Sequence, residues 1–116
     1  MGDDFWLFLD ALVAISSITI DRPAGTRHPR YPDFVYPLDY GHLDDTRTMD
    51  GEGIDVWIGS LPDREVVAVI GTVDRLKRET ELKILLGCTP QEAQLALQSH
   101  NRGGQAAILI PRPRPR

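Results

Sequence analysis

The sequence predicts a mainly β (α+β) domain, a small closed barrel of short strands flanked by two helices. Short apolar segments with turn residues between them recur through the chain, which is typical of small barrels. Apolar residues at helical spacing precede them, and a helix-capping sequence interrupts them near the C-terminus. The 116 residues suit one domain with a single modest core. We expect this domain over residues 1–110, followed by a flexible tail over 111–116 that alternates Pro with Arg.

The first predicted element is an amphipathic helix over residues 4–15. Its expected buried face consists of five apolar residues at i, i+3 and i+4 spacing: Phe5, Phe8, Leu9, Leu12 and Val13. Asp3 and Asp4 lie in the first turn, where the helix dipole favours negative charge. Trp6 lies off this stripe, so we expect it to pack on the edge of the barrel or on another subunit.

Strands are predicted where apolar residues alternate or run continuously between turns: residues 18–21, 54–59, 66–74, 81–86 and 106–110. An extended segment is predicted at residues 34–37, because Pro37 restrains the residue before it. The second helix is predicted over residues 90–99. The segment from Thr89 to Glu92 has the form of a capping box, with proline at the first helical position.

Charge and composition narrow the class of protein. Thirteen Lys plus Arg against seventeen Asp plus Glu give a net charge of −4, which argues against a nucleic-acid partner. The apolar segment over residues 5–15 follows Asp3 and Asp4 and is too short to cross a bilayer. We therefore expect neither a signal peptide nor a membrane association. Cys88 is the single cysteine, so we expect a structural thiol and a cytoplasmic protein.

A cluster of acidic residues suggests a metal site. Asp50, Glu52 and Asp55 fall within six residues and are joined by glycines that allow a tight turn. Asp55 lies inside a predicted strand, between Ile54 and Val56, where an acid is costly unless it is paired or holds a cation. Such clusters suit Mg²⁺, which prefers oxygen ligands. The alternative is an Asp-Gly turn with solvated acids.

A second charged segment runs from Asp74 to Lys83. Glu81 and Lys83 are two residues apart, so their side chains point to the same face of the predicted strand. The two are either part of a site or a solvated surface pair.

Two motifs together resemble a known family. The segment YPLDYG is followed, ten residues after Tyr40, by DGEGIDV, and this pair resembles the signature of soluble (family I) inorganic pyrophosphatases, in a short form. The upstream segment ITIDRPAGTRHPRYPDF resembles the first strand and the phosphate-binding region of that family. The resemblance implies an OB-like five-stranded closed β-barrel with a metal-lined cavity. It also implies a Mg²⁺ cofactor, pyrophosphate as the substrate, direct attack of a metal-activated water, and a homo-oligomer.

The resemblance assigns roles to individual residues. The expected metal ligands are Asp50, Asp55, Asp74 and Glu81. The expected catalytic residues are Tyr40, Glu52, Asp55 and Lys83, with Glu52 in the position of the general base. The expected substrate-binding residues are Arg27, Arg30, Tyr36, Tyr40, Lys83 and His100. Asp21 lies where the family has an acid on the first strand.

The chain departs from the family pattern, and these departures leave alternatives open. Glu52 and Glu81 stand where the family usually has aspartate. Only five residues separate Arg30 from Tyr36, where the family has a longer hairpin, and His100 replaces a tyrosine. A cavity opened by the shorter hairpin favours a hydrolase of another phosphoanhydride or of a phosphate ester. The third alternative is a non-catalytic barrel that binds phosphate or mediates protein contacts.

Overall fold

The computed structural model describes residues 3–114, which form two helices and six strands. Helix α1 spans Asp3–Ile15 and helix α2 spans Pro90–Ser99. The strands are β1 (Ile18–Arg22), β2 (Asp39–Leu43), β3 (Ile54–Ile58), β4 (Val66–Asp74), β5 (Glu79–Leu86) and β6 (Gln105–Pro111). The prediction of a mainly β chain with two helices is confirmed.

All six strands belong to one mixed sheet in the order β1-β2-β3-β5-β4-β6. Neighbouring strands are antiparallel except β3 and β5, which are parallel. Strands β1 and β6 form the two edges, and in the part of the chain that the structure describes no ladder joins them. The predicted closed five-stranded barrel is therefore not confirmed, because β6 pairs with β4 and extends the sheet.

Strand β2 is the element that the sequence pattern missed. The extended segment predicted at residues 34–37 contains only an isolated bridge between Arg27 and Val35, and the strand itself begins at Asp39. Its sequence DYGHL has no β-branched residue, so its intrinsic strand propensity is low. It is a strand because it pairs with β1 on one side and with β3 on the other.

The sheet carries apolar residues on both faces because side chains alternate along each strand. On β3, Val56 belongs to the core cluster that contains residues of α1, whereas Trp57 belongs to the cluster that contains residues of α2. On β5, Ile84 and Leu85 divide in the same way. We call these two sides of the sheet the α1 face and the α2 face.

Helix α1 is rotated relative to its predicted orientation. Trp6 is only 7% exposed and lies in the core of the α1 face, so its predicted contact with a barrel edge or another subunit is wrong. Phe5 and Phe8, predicted to be buried, are 44% and 69% exposed. Because α1 is apolar on most sides, its periodicity permits several orientations. The ion pair of Asp10 with Arg112, at 2.7 Å, favours the observed one.

Helix α2 forms over the predicted range, and its capping box is confirmed. Thr89 Oγ1 accepts a hydrogen bond from the Glu92 N–H at 3.2 Å, and Glu92 Oε1 accepts one from the Thr89 N–H at 2.9 Å. The Glu92 carboxylate also accepts a hydrogen bond from the Ser60 N–H, which ties the helix to the end of β3. Within residues 3–114, neither helix has the length and apolar character that crossing a membrane requires.

The folded domain continues beyond residue 110. Strand β6 ends at Pro111, and the Arg112 N–H donates to the Val67 carbonyl at 2.9 Å. These two residues therefore belong to the fold and not to the predicted flexible tail. Residues 115–116 of that tail, and residues 1–2 of the predicted domain, lie outside the described residues.

Candidate active site

Four polar side chains meet on the α2 face of the sheet: Tyr40 on β2, Asp55 on β3, and Glu81 and Lys83 on β5. Lys83 Nζ donates to Asp55 Oδ2 and to Glu81 Oε2, each at 2.7 Å. Tyr40 Oη donates to the same oxygen of Asp55 at 2.8 Å. We call these four residues the Lys83 cluster.

The strand register brings the members of the Lys83 cluster together. Strands β3 and β5 run parallel, and Asp55 and Lys83 each precede the first residue pair of their ladder. Strand β2 runs antiparallel to β3, in a register that places Tyr40 diagonally across from Asp55. Glu81 lies two residues before Lys83, and the prediction that both point to one face is confirmed.

Burial and charge determine the protonation of the cluster. Lys83 is only 7% exposed. Burial opposes its positive charge, but its charged neighbours, among them Asp55 and Glu81, outweigh this effect and raise the pKa of Lys83 above its ordinary value. Burial is also the main cause that raises the pKa of Tyr40. At neutral pH the cluster therefore contains an ammonium and a neutral phenol.

Aromatic rings line the α2 side of the cluster. The Tyr40 ring lies 4.6 Å from the Trp57 ring and 5.7 Å from the Tyr36 ring. Trp57 Nε1 donates to His100 Nε2 at 3.0 Å, and since an indole nitrogen only donates, this imidazole nitrogen is the acceptor. His100 Nδ1 therefore carries the proton and donates to Gln105 Oε1 at 2.9 Å. Direct contact of His100 with substrate, as predicted, would require the loss of one of these bonds.

Positive charge collects around His28, beside the aromatic rings. The His28 ring stacks on Tyr36, with 9° between their planes and 6.1 Å between centroids. Burial lowers the pKa of His28, and four nearby cations lower it further: Arg22, Arg102, Arg30 and Lys77. Among the residues that the structure describes, none of these four cations forms a salt bridge. We call His28 with these cations the His28 surface. Free cations in an acidic protein favour the binding of an anion.

The tautomer of His28 is set by the loop that carries it. His28 Nδ1 accepts hydrogen bonds from the backbone N–H groups of Arg30 and Tyr31, at 3.0 and 3.1 Å. Neutral His28 therefore holds its proton on Nε2, where it is a donor for an anion. Arg30, predicted to bind substrate, belongs to this surface.

Arg22 is the site residue that the sequence analysis missed. A bulge between Ile20 and Arg22 places Arg22 opposite Tyr40 in the β1–β2 ladder. Simple alternation along β1 would instead point it to the α1 face. Burial raises the pKa of Tyr36, and the nearby Arg22 guanidinium opposes this rise. Only the pairing of the two strands reveals the bulge, so no local signal could have identified Arg22.

Asp50 and Glu52 lie on the exposed turn before β3. The Thr48 hydroxyl and the Glu52 N–H both donate to Asp50 Oδ1, and these bonds lower the pKa of Asp50. The positive charge of Lys83 makes a smaller contribution to the same shift. The carboxylate is nevertheless used by its own turn in this structure.

Two further predicted residues hold turns. Asp74 Oδ1 accepts hydrogen bonds from the backbone N–H groups of Leu76 and Lys77, each at 3.0 Å, and so stabilises the β4–β5 turn. Arg27 Nη1 donates to the Pro32 carbonyl at 2.9 Å and closes the loop that carries His28. Neither side chain contacts the Lys83 cluster.

Asp21, the predicted acid on the first strand, pairs with a histidine. His42 Nδ1 lies 2.8 Å from Asp21 Oδ2, and this hydrogen bond raises the pKa of His42. Asp44 lies 3.4 Å from the other ring nitrogen and accepts hydrogen bonds from Ser17 and Thr19. The contacts of His42 and Asp44 with Asp21, Ser17 and Thr19 therefore connect β2 to β1 next to the site.

The predicted metal ligands do not converge on one point. Across residues 3–114, no three side chains of His, Cys, Asp or Glu are placed to share an ion. Asp55 and Glu81 do approach each other, with the Lys83 ammonium between them. Mg²⁺ often binds through one or two carboxylates together with substrate phosphates. The pair therefore fits an ion that arrives with a phosphate ligand better than a resident ion.

The chain has the fold of solved inorganic pyrophosphatases. The inorganic pyrophosphatase of Coxiella burnetii is 12% identical with a TM-score of 0.58, and the match covers 79% of this chain and 81% of that chain. The enzyme of Neisseria gonorrhoeae is 20% identical with a TM-score of 0.54 and 77% coverage of both chains. That of Helicobacter pylori is 11% identical with a TM-score of 0.55 and 81% coverage of both. No family model and no curated protein matches the sequence.

Proposed function

We propose that this protein hydrolyses inorganic pyrophosphate to two phosphates and takes the substrate as its Mg²⁺ complex. The observation that carries the proposal is the Lys83 cluster, whose central ammonium is buried, on a fold shared with solved inorganic pyrophosphatases. Two carboxylates, an ammonium and a phenol on adjacent strands combine oxygens for a cation with donors for a phosphate anion.

Asp55 and Glu81, which both contact Lys83, are the residues that would hold the Mg²⁺ of the substrate complex. Such an ion neutralises pyrophosphate and lowers the pKa of a bound water. Before substrate binds, Lys83 pairs with both central carboxylates and keeps them on one side of the sheet. With a cation held by these two carboxylates, the Lys83 ammonium would be available to stabilise charge on the leaving phosphate.

The remaining roles combine the resemblance with the contacts of the site. We assign the general base to Glu52, as the resemblance to the family implies, and Glu52 lies on the exposed turn just before β3. The Tyr40 hydroxyl orients Asp55 through their 2.8 Å hydrogen bond. The His28 surface, which adjoins the cluster through the stacked ring of Tyr36, binds the second phosphate.

The test is phosphate release from pyrophosphate by the purified protein, with Mg²⁺ and with EDTA. We expect Mg²⁺-dependent release that Asp55→Asn lowers at least 100-fold while circular dichroism is unchanged, since misplaced catalytic groups can cost about 100-fold. Asp63→Asn, at an exposed position between β3 and β4, is the matched control and should keep full activity. Absence of release from a folded wild-type sample would contradict the proposal.

The second candidate is a non-catalytic barrel that binds phosphate. The observation that favours it is that Asp50 and Glu52 lie on an exposed turn and that the Asp50 carboxylate accepts hydrogen bonds from that turn itself. It predicts phosphate binding at the His28 surface, weakened by Arg22→Ala, without turnover of pyrophosphate. The short segment between Arg30 and Tyr36 also leaves a larger phosphoanhydride or a phosphate ester as an alternative substrate. Release from nucleoside triphosphate or p-nitrophenyl phosphate, and not from pyrophosphate, would identify them.

We also propose that the protein acts in the cytoplasm and forms a homo-oligomer. The only cysteine, Cys88, is buried and unpaired, and a chain with one cysteine forms no internal disulfide, which fits a reducing compartment. The assembly is expected from the resemblance to the family, and the surface that forms it is argued below.

A further inference from the structure

Helix α1 is apolar on its outward side as well as on the side that contacts the sheet. Phe5, Phe8 and Ile15 are 44%, 69% and 83% exposed, and Leu12 is half-buried. These four residues are spaced three, four and three apart, as at the a and d positions of a helix–helix seam. They form one stripe beside the buried residue Trp6, and we call it the outer α1 stripe.

The outer α1 stripe carries no charge. The charged residues of the helix lie elsewhere: Asp3 and Asp4 are in its first turn, and Asp10 is held by Arg112. A helix that is apolar on all sides is normally buried on all sides. The exposed fractions leave roughly 400 Å² of apolar surface on this stripe, which is comparable with the largest apolar patch of a typical monomer, and such patches are often functional.

We propose that the outer α1 stripe is the interface through which two copies of this chain form a two-fold dimer. A stable dimer buries about 800 Å² per partner, of which roughly 60% is apolar. The stripe supplies most of that apolar part from a single helix. An uncharged stripe is complementary to itself, as a two-fold interface requires, because the same patch must serve on both subunits.

The charges of α1 determine how the two helices cross. A parallel pair would bring the Asp3 and Asp4 side chains of both copies together at one end, where they repel. An antiparallel pair separates them and places Phe8 of one copy opposite Leu12 of the other. The helix contains no Lys or Arg, so it has nothing to attract it to an anionic membrane surface.

The test is sedimentation equilibrium of the full chain from low micromolar to several hundred micromolar concentration. We expect twice the 13.0 kDa mass of one chain for the wild type. Phe8→Glu should raise the dimer dissociation constant about 30-fold or more, as expected for a central interface residue. Phe8 is exposed in the single chain, so this variant should keep its circular dichroism spectrum. Leu76→Glu, at a 77% exposed apolar residue of the β4–β5 turn, is the matched control and should remain dimeric.

A double variant tests the antiparallel arrangement. Phe8→Glu combined with Leu12→Lys should recover the dimer that Phe8→Glu loses, because each glutamate then faces a lysine of the other copy. Failure to recover it would overturn that arrangement. A wild type that is monomeric at every concentration, or a dimer that Phe8→Glu leaves intact, would overturn the interface. A monomer that sediments with phosphatidylcholine vesicles would overturn it in favour of a lipid surface.

Discussion

Lys83 is the residue on which the candidate site depends most. Its ammonium is the shared partner of Asp55 and Glu81, and it is more deeply buried than either carboxylate. Removal of one member of a buried ionic group leaves the others without compensation, which costs more than the pair contributed. The same contact therefore serves stability and, in our proposal, the binding of phosphate.

We expect Lys83→Met to abolish phosphate release and to lower the free energy of unfolding by about 2 kcal/mol. This loss is smaller than the loss on breaking a fully buried ion pair, because both carboxylates keep partial access to water. Urea denaturation and the phosphate assay check the two effects. Arg64→Met, on the exposed β3–β4 connection, should change neither. Full activity of the Lys83 variant would remove this residue from the mechanism.

His100 gives the fold a pH dependence of known sign. Burial lowers the pKa of His100 below its ordinary value of 6.5, so the unfolded chain takes up a proton that the folded chain resists. The contribution to stability is therefore present above about pH 6.5 and decreases as the pH falls below it. His42 has the opposite sign, because its bond to Asp21 raises its pKa and favours the protonated fold.

Urea denaturation between pH 7.5 and pH 5 checks both signs, with buffer concentration and ionic strength held constant. We expect the loss of stability on acidification to be smaller in His100→Gln than in the wild type, and larger in His42→Gln. Equal slopes in all three proteins would show that these histidines do not titrate differently in the folded and unfolded states.

At the scale of elements, the packing of β1 against β2 explains the glycine of the YPLDYG segment. A Cβ on Gly41 would lie 2.0 Å from the carbonyl oxygen of Thr19 on β1. The clash cannot be relieved by a change of side-chain rotamer, because the nearest atoms belong to the backbone of β1. The close approach of these two strands positions both Arg22 and Tyr40 at the site.

Gly41→Ala should therefore lower the free energy of unfolding by about 3 kcal/mol, at the upper end of overpacking effects. Gly71→Ala is a matched control in a central strand, since its Cβ would meet only Ile108 Cγ1 at 3.8 Å. Thermal and urea unfolding of both variants provide the comparison. Equal effects of the two substitutions would mean that β1 can move away from β2 at little cost.

At the scale of the whole molecule, an open sheet has two edge strands whose unpaired backbone groups could pair with another chain. Strand β6 presents Ile108 and Ile110 on its surface, and the edge ends at Pro111, which has no N–H to donate to a further strand. The proposed dimer covers the apolar side of α1 and does not cover the opposite face of the sheet, which carries the Lys83 cluster.

A dimer couples stability to protein concentration. We expect the Tm of the wild type to rise with concentration, because each tenfold increase favours the dimer by about 1.4 kcal/mol. The Tm of Phe8→Glu should stay constant over the same range. Differential scanning calorimetry at several concentrations distinguishes these cases, and a constant Tm for the wild type would contradict the dimer.

The features that the sequence predicted correctly depend on neighbours along the chain. The capping box of α2 requires only Thr89 and Glu92, three residues apart. The shared face of Glu81 and Lys83 follows from strand alternation. The resemblance to soluble inorganic pyrophosphatases was visible in YPLDYG and DGEGIDV, and the fold is similar to those of solved inorganic pyrophosphatases, although the closed barrel that the resemblance implied is not confirmed.

The remaining features depend on which segments meet in space. Strand β2 has weak local propensity and exists because two strands flank it, and the bulge that directs Arg22 to the site exists only in the β1–β2 pair. The contact of Lys83 with Asp55 joins residues 28 positions apart. The orientation of α1 depends on Asp10 meeting Arg112, and the open sheet on β6 pairing with β4. The periodicity of a sequence predicts which side chains share one face of a helix or strand. Which segment packs against that face depends on the free energy of the whole fold, and the local sequence does not contain this information.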